Sequence, residues 1–343
     1  MLARLLALVT LLQTSVIAEP VQWGINGHPL TQEGYWQVPL DDQLDLVKDS
    51  GATWYRISFG FDAYRANTAR FEELLAKAEK RNLKLLPVLM PPKGFYGDSK
   101  PLAQIKEESA AFGKEMASRY KGRITHWELG NELDTFAMIK KGEKNRAGKE
   151  WKWDGAPDGK IPDDYETNRY ERCREFFKSL QQGIKEADPK ALTMIDTAGW
   201  LHYGFLQRLK EDGVNDYDIL AWHWYSEMGP IIAASKDKID VIKLLKDGFG
   251  KPIWLTEINR RDGSKKGKED AQAEYISGPI ADLSKHPDIN AVFLYELLDE
   301  PYFGESGESD YGIANISKES GKWKITGMKP SFDAFRKLTR AAK

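Results

Sequence analysis

Cysteine is nearly absent from the 343-residue sequence, with Cys173 its only copy. No intrachain disulfide can form, and a cysteine-built zinc or iron–sulfur site is excluded with it. Histidine is scarce too. The five at 28, 126, 202, 223 and 286 supply no paired His-x-His at the end of a strand-like run, so no metal centre of that kind is expected. Neither sign of charge is in excess. Fifty Lys and Arg stand against 52 Asp and Glu, a net charge of −2, which argues against nucleic acid or an anionic membrane surface as partner. Beyond the N-terminus no run approaches the roughly 18 apolar residues a membrane helix needs. No Gly-x-Gly-x-x-Gly follows the first strand-like run, so a dinucleotide-binding fold has no support, and no cofactor is expected. A monomer is expected.

What the chain does have begins with residues 1–18, MLARLLALVTLLQTSVIA. Arg4, the apolar run behind it and Val16-Ile17-Ala18 predict a secretory signal peptide with a small-residue cleavage site, hence a secreted or periplasmic protein. Residues 19–343 then form the working domain. With 41% hydrophobic and 30% charged residues, that segment has the composition of a globular protein whose core must hold it together without disulfides.

Eight short runs rich in β-branched and aromatic residues predict strands at 21–26, 53–59, 84–90, 124–131, 191–197, 217–225, 252–258 and 290–297. Amphipathic patterns between them predict helices, most clearly at 67–81, 103–120, 164–187 and 236–247. Gly51, Asn82, Gly122, Gly213 and Gly248 follow or end these patterns as residues that tolerate a left-handed stop. Parallel strands need crossover helices, and eight βα repeats favour closure into a (β/α)8 TIM barrel, here one domain. The long segment 133–163 after the fourth strand, with Trp151 and Trp153, is read as a loop covering the substrate. Its basic stretch (Lys140, Lys141, Lys144, Arg146, Lys149, Lys152) is either a solvated surface or a contact for an acidic polymer.

Chemistry in such a barrel sits at the C-terminal ends of the strands. Two glutamates fall there, Glu132 closing ITHWELGNE and Glu257 within PIWLTEIN. Strands 4 and 7 face each other across a small barrel, so the two carboxylates can converge, one as proton donor and one as nucleophile or base.

Their contexts carry a resemblance. Trp127-Glu128-Leu129-Gly130-Asn131-Glu132 and Trp254-Leu255-Thr256-Glu257 resemble the acid/base and nucleophile segments of clan A glycoside hydrolases. The pattern is most similar to glycoside hydrolase family 39 and the Psl-type exopolysaccharide endoglycosidases. Gly130 and Leu133 depart from the Trp-Asn-Glu-Pro that family 39 xylosidases and iduronidases usually carry. The resemblance implies a retaining glycosidase acting on a poly- or oligosaccharide, with Glu132 as acid/base and Glu257 as nucleophile. It implies further that Arg56 and Tyr225 flank the nucleophile, that His223 belongs to the same strand 6 pair, and that Asn131 binds the 2-hydroxyl of the sugar. Tyr295 stands where many clan members place a subsite tryptophan. The tail Tyr311-Gly312-Ile313 and Lys329-Pro330-Ser331-Phe332 is similar to the segment leading into the last helix.

Trp200 and Tyr203 are the preferred sugar-stacking aromatics. Asn26, His28, Phe95, Tyr96, Trp151 and Trp153 are further substrate-binding candidates. Each supporting residue also has a plain structural reading, with Arg56 pairing a buried carboxylate and His223 and Tyr225 filling the core. A barrel that binds carbohydrate without cleaving it remains the alternative function.

Overall fold

The computed structural model describes residues 20–97 and 100–341; the expected signal peptide, 1–18, lies outside them. Eight parallel strands close into a barrel in chain order: β1 (Gln22–Gly27), β2 (Trp54–Gly60), β3 (Lys84–Met90), β4 (His126–Leu129), β5 (Leu192–Ile195), β6 (Ile219–Tyr225), β7 (Ile253–Asn259) and β8 (Ile289–Leu294). The expected (β/α)8 architecture is the observed one. Because helices cover the outside and side chains fill the inside, these strands are buried on both faces and read as near-continuous apolar runs; all seven residues of β7 are buried.

The helices that return the chain include Leu40–Asp49, Thr68–Lys80, Leu102–Arg119, Thr167–Ala187 and Tyr203–Glu211. One expected helix is shorter and shifted. The pattern at 236–247 becomes Val241–Phe249, because Ala234 and Ile239 pair in a small bridge and the Asp240 side chain caps the helix by accepting from Lys243 N–H. Gly248 accordingly lies inside that helix, and Gly250 (φ +65°) ends it. Strand 4 stops at Leu129, where Gly130 turns to φ +74°.

The sequence reading also passed over an antiparallel hairpin, β9 (Ala314–Glu319) and β10 (Lys322–Met328). Its Trp323 packs on Tyr302 and donates its indole N–H to Glu33 (3.0 Å).

Inside the barrel the strand period of two sorts the side chains into storeys. A lower layer of Trp54, Leu86, Met194, Ile219, Trp254 and Phe293 is apolar, with the His126 ring stacked on Trp254 as its one polar member. Gly24 makes room for it, since a Cβ there would sit 2.2 Å from the Phe293 ring. Two residues further along β2, β4 and β5 the inward positions become Arg56, Glu128 and Asp196, all buried. The change from hydrocarbon to charge marks the C-terminal mouth.

Candidate active site

Arg56 is the hub of the upper storey. Its Nε and Nη2 clasp Glu128 (2.7 and 3.0 Å), Nη1 donates to Glu257 (2.6 Å) and to Asn26 Oδ1 (2.8 Å), and Nη2 also reaches Asn131 Oδ1 (2.8 Å) and Asp196 (3.4 Å). A planar fork of five N–H donors suits such multiple carboxylate contacts, which a lysine could not reproduce.

Glu257 reaches this hub through a slip in the sheet. Along β6 and β7, Trp222 pairs with Leu255 but His223 pairs with Glu257, so one residue of β7 is skipped. Such bulges re-aim side chains. Here the slip turns two consecutive residues inward: Thr256 Oγ1 donates to Glu128 (3.1 Å), and Glu257 faces Arg56 and Tyr225, whose hydroxyl donates to it (2.8 Å). Burial works to raise the Glu257 carboxyl. The charges of His223 and Arg56 and the hydrogen bonds from Tyr225 and Arg56 outweigh it, holding the group below the usual carboxylate range.

Glu132 arrives from the other side. It has left-handed backbone (φ +51°, ψ +37°) at the head of the short helix Leu133–Ala137, a conformation that non-glycine residues adopt mainly where surroundings enforce it. The enforcement is visible. The Glu132 N–H donates to Asp196 (3.0 Å), and its carboxylate lies 2.8 Å from His223 Nδ1. Gly130 and Leu133, the departures from the family 39 motif, account for each other: a Cβ on Gly130 would come within 2.8 Å of the Leu133 side chain.

His223 is fully buried between Glu132, Glu257 (3.6 Å) and Asp196 (3.3 Å from Nε2). Burial disfavours its cation, yet Glu257, Asp196 and Glu132 together hold its pKa well above the ordinary histidine value. Asp196 is itself lifted to about 8, by burial first, against the pull of His223.

The Glu132, His223 and Glu257 ligand atoms lie within 4.8 Å of one another. The two carboxylates differ in access: the Glu132 side chain is 32% exposed and that of Glu257 only 9%. Both open into a cavity of about 420 Å3 at the barrel mouth, which His28, Arg56, Asn131, Tyr225 and Tyr295 also line. His223 lies beneath it. Asn26 does not reach the cavity; buried, it donates its amide N–H groups to the Thr256 and Leu294 carbonyls and accepts from Arg56 at Oδ1.

Trp200 and Tyr203 lie outside the cavity lining, packed against the core. The aromatic wall is instead Tyr225, Tyr295 and Tyr311, meeting edge to face at 5.3–6.3 Å. The 133–163 segment contributes no side chain to the lining. It folds back on the helix Thr167–Ala187, where Arg169 grips Glu143 and the Phe136 and Met138 carbonyls. It is therefore not a cover over this cavity, and Trp151 and Trp153 border a separate depression beside Ile161. Part of its basic stretch is already paired, Lys141 with Asp154 and Arg146 with Asp163 and Glu211.

Glu128, Asp196, Glu227, Arg261 and Glu308 are site residues to which the sequence reading gave no role. For Glu128 and Asp196 a signal existed, a lone acid at the inward register of an apolar strand.

Residues 170–310 match the family model described as a glycosyl hydrolase catalytic core. No curated protein matches the chain. Among solved structures it is similar to a family 39 glycoside hydrolase from the gut symbiont Bacteroides cellulosilyticus WH2 (18% identity, TM-score 0.61), over 94% of this chain and 64% of that one. The chain thus spans less than two thirds of that enzyme's length. A hyperthermophilic β-glucosidase from Pyrococcus furiosus (11% identity, TM-score 0.67; 94% and 95% covered) and xylanase 10B from Thermotoga petrophila RKU-1 (16%, 0.61; 94% and 94%) share the barrel. The likeness to clan A glycoside hydrolases read from the motifs is matched by fold and by family model.

Proposed function

We propose that this chain is a retaining glycoside hydrolase, exported by its N-terminal segment, that cleaves O-glycosidic bonds of an oligo- or polysaccharide by double displacement. The observation that carries this reading is the convergence of Glu132 and Glu257 from β4 and β7, within 4.8 Å, at the floor of one cavity. Retaining enzymes hold their carboxyl groups about 5–5.5 Å apart, whereas inverting enzymes leave about 6.5–9.5 Å for a water molecule. One oxygen of each carboxylate lying within 4.8 Å of the other supports the shorter, retaining spacing.

Glu257, kept anionic by Arg56, His223 and Tyr225, attacks the anomeric carbon. Glu132, the more exposed of the two, gives its proton to the departing glycosidic oxygen as that bond breaks. In the second step Glu132 takes a proton from water, which attacks the glycosyl–enzyme ester and frees Glu257. Arg56 holds Asn131 by its oxygen, which leaves the amide N–H groups free for the 2-hydroxyl, a contact that strengthens as the oxocarbenium-like transition state forms.

The test is a screen of bacterial exopolysaccharides and plant hemicelluloses, with products sized and the anomer released first identified by NMR. A retained anomer from the wild type, and no turnover from Glu257→Gln, is expected. Near-wild-type activity in that variant, or an inverted first product, refutes the assignment.

A further inference from the structure

Against the β1–β8 side of the cavity lies a second cluster, His28, Glu296 and Glu300, which the proposed reaction does not use. One ligand atom from each falls within 4.8 Å of the others. We propose that these three residues bind one divalent transition-metal ion, of the zinc or manganese class.

Both glutamates are buried, Glu296 wholly and Glu300 to 1% exposure, yet among the described residues neither makes an ion pair with lysine or arginine. The nearby Lys329 is taken by Asp299 (2.5 Å). Two carboxylates out of water without a cation are costly, and buried charges are ordinarily paired or coordinated to metal. Unspent ligand atoms point the same way. Glu296 Oε1 and His28 Nε2 are buried without any hydrogen-bond partner. Nε2 lies 3.3 Å from Glu296 Oε2, about the ligand–ligand edge that a tetrahedral ion with bonds of about 2.0–2.2 Å requires.

The other lone pairs are held in place, as carboxylate ligands usually are. The Tyr35 hydroxyl, itself accepting from Leu298 N–H (2.9 Å), donates to Glu296 Oε2 (2.7 Å), and the Tyr302 hydroxyl donates to Glu300 Oε1 (2.6 Å). One imidazole with two carboxylates suits zinc or manganese better than calcium, which prefers oxygen alone. The Glu132–His223–Glu257 cluster is a poor rival, because the Arg56 cation already sits 2.6 Å from Glu257. His28 lines the cavity beside Tyr295, so the proposed ion would lie next to the wall of the place where the sugar would bind.

The experiment is calorimetric titration of the chelator-treated full chain with zinc chloride and with manganese chloride at neutral pH. The wild type, Glu296→Gln, Glu300→Gln, His28→Ala and, as a control for location, Glu132→Gln are compared. One equivalent should bind to the wild type and to Glu132→Gln, with affinity reduced at least about tenfold in the other three. His28→Ala, at the cavity wall, carries the comparison if a buried glutamine variant does not fold. The proposal is overturned if neither ion binds saturably to the wild type, in which case the two carboxylates hold protons instead. It is equally overturned if binding survives unchanged in His28→Ala or is lost only in Glu132→Gln. Each outcome is read as binding, so it is independent of whether the Glu132–Glu257 reaction is assigned correctly.

Discussion

Tyr225→Phe removes one oxygen from the site and nothing else of consequence. In the wild type that hydroxyl donates a 2.8 Å hydrogen bond to Glu257 Oε2, a neutral donor on an ionised acceptor shielded from water. Bonds of this kind contribute about 1.5–3 kcal/mol. The Tyr225 bond favours the carboxylate over the acid, so it helps hold the Glu257 pKa down. Its loss should raise that pKa by about one to two units, at 1.36 kcal/mol per unit. Under the proposed mechanism only ionised Glu257 attacks, so the acid limb of the kcat/KM profile of the free enzyme must move to higher pH by the same amount. The plateau should change less, because Glu257 gives up its charge to the anomeric carbon in the transition state and the bond weakens with it. The assay is kcat/KM against pH on one soluble substrate for both proteins. An unmoved limb, or one displaced toward lower pH, would show that Tyr225 does not act on the nucleophile.

Glu132→Gln should cut turnover about 10²–10⁴-fold on a natural glycoside, and far less on an aryl glycoside whose nitrophenolate departs unaided; equal losses on both would deny Glu132 the role of acid. Gly130→Ala forces a Cβ onto φ +74° and against Leu133, so urea unfolding should show a loss of about 1–3 kcal/mol; wild-type stability would mean the turn relaxes. Tyr311→Ala should raise KM while Trp200→Ala leaves it unchanged, because Tyr311 lines the cavity and Trp200 packs on the core; the reverse pattern in steady-state kinetics would return the sugar to Trp200.

The barrel was legible because each of its strands is buried on both faces and so announces itself as a continuous run such as ILAWHWY or IWLTEIN. The β9–β10 hairpin was not, since its residues alternate across a half-exposed ribbon and several are Lys or Glu. Its cue was local, Ser320-Gly321 with φ of +51° and +79°, the paired positive angles of a tight hairpin turn. In the site, Glu132 and Glu257 stood out by their positions at strand ends. Glu128 and Asp196 were marked only as acids in apolar surroundings; the partners through which they act lie 27 to 140 residues away in the chain, Arg56, Glu132, His223 and Thr256 among them. Trp200 misled for the opposite reason. It follows a strand as a site aromatic would, yet it packs against the core outside the cavity lining.

The skipped residue between β6 and β7 makes the identity of the reactive group a matter of counting. Thr256 and Glu257 both point inward only because Trp222 pairs with Leu255 and His223 with Glu257. An insertion or deletion of one codon in this strand would leave its residues as apolar as before and the closed sheet available, while handing the Glu257 position to a neighbour with no acid to offer. Point substitutions in the lower storey, by contrast, alter stability and leave that count intact. The reaction of this barrel therefore depends less on the composition of its core than on the length of one seven-residue segment.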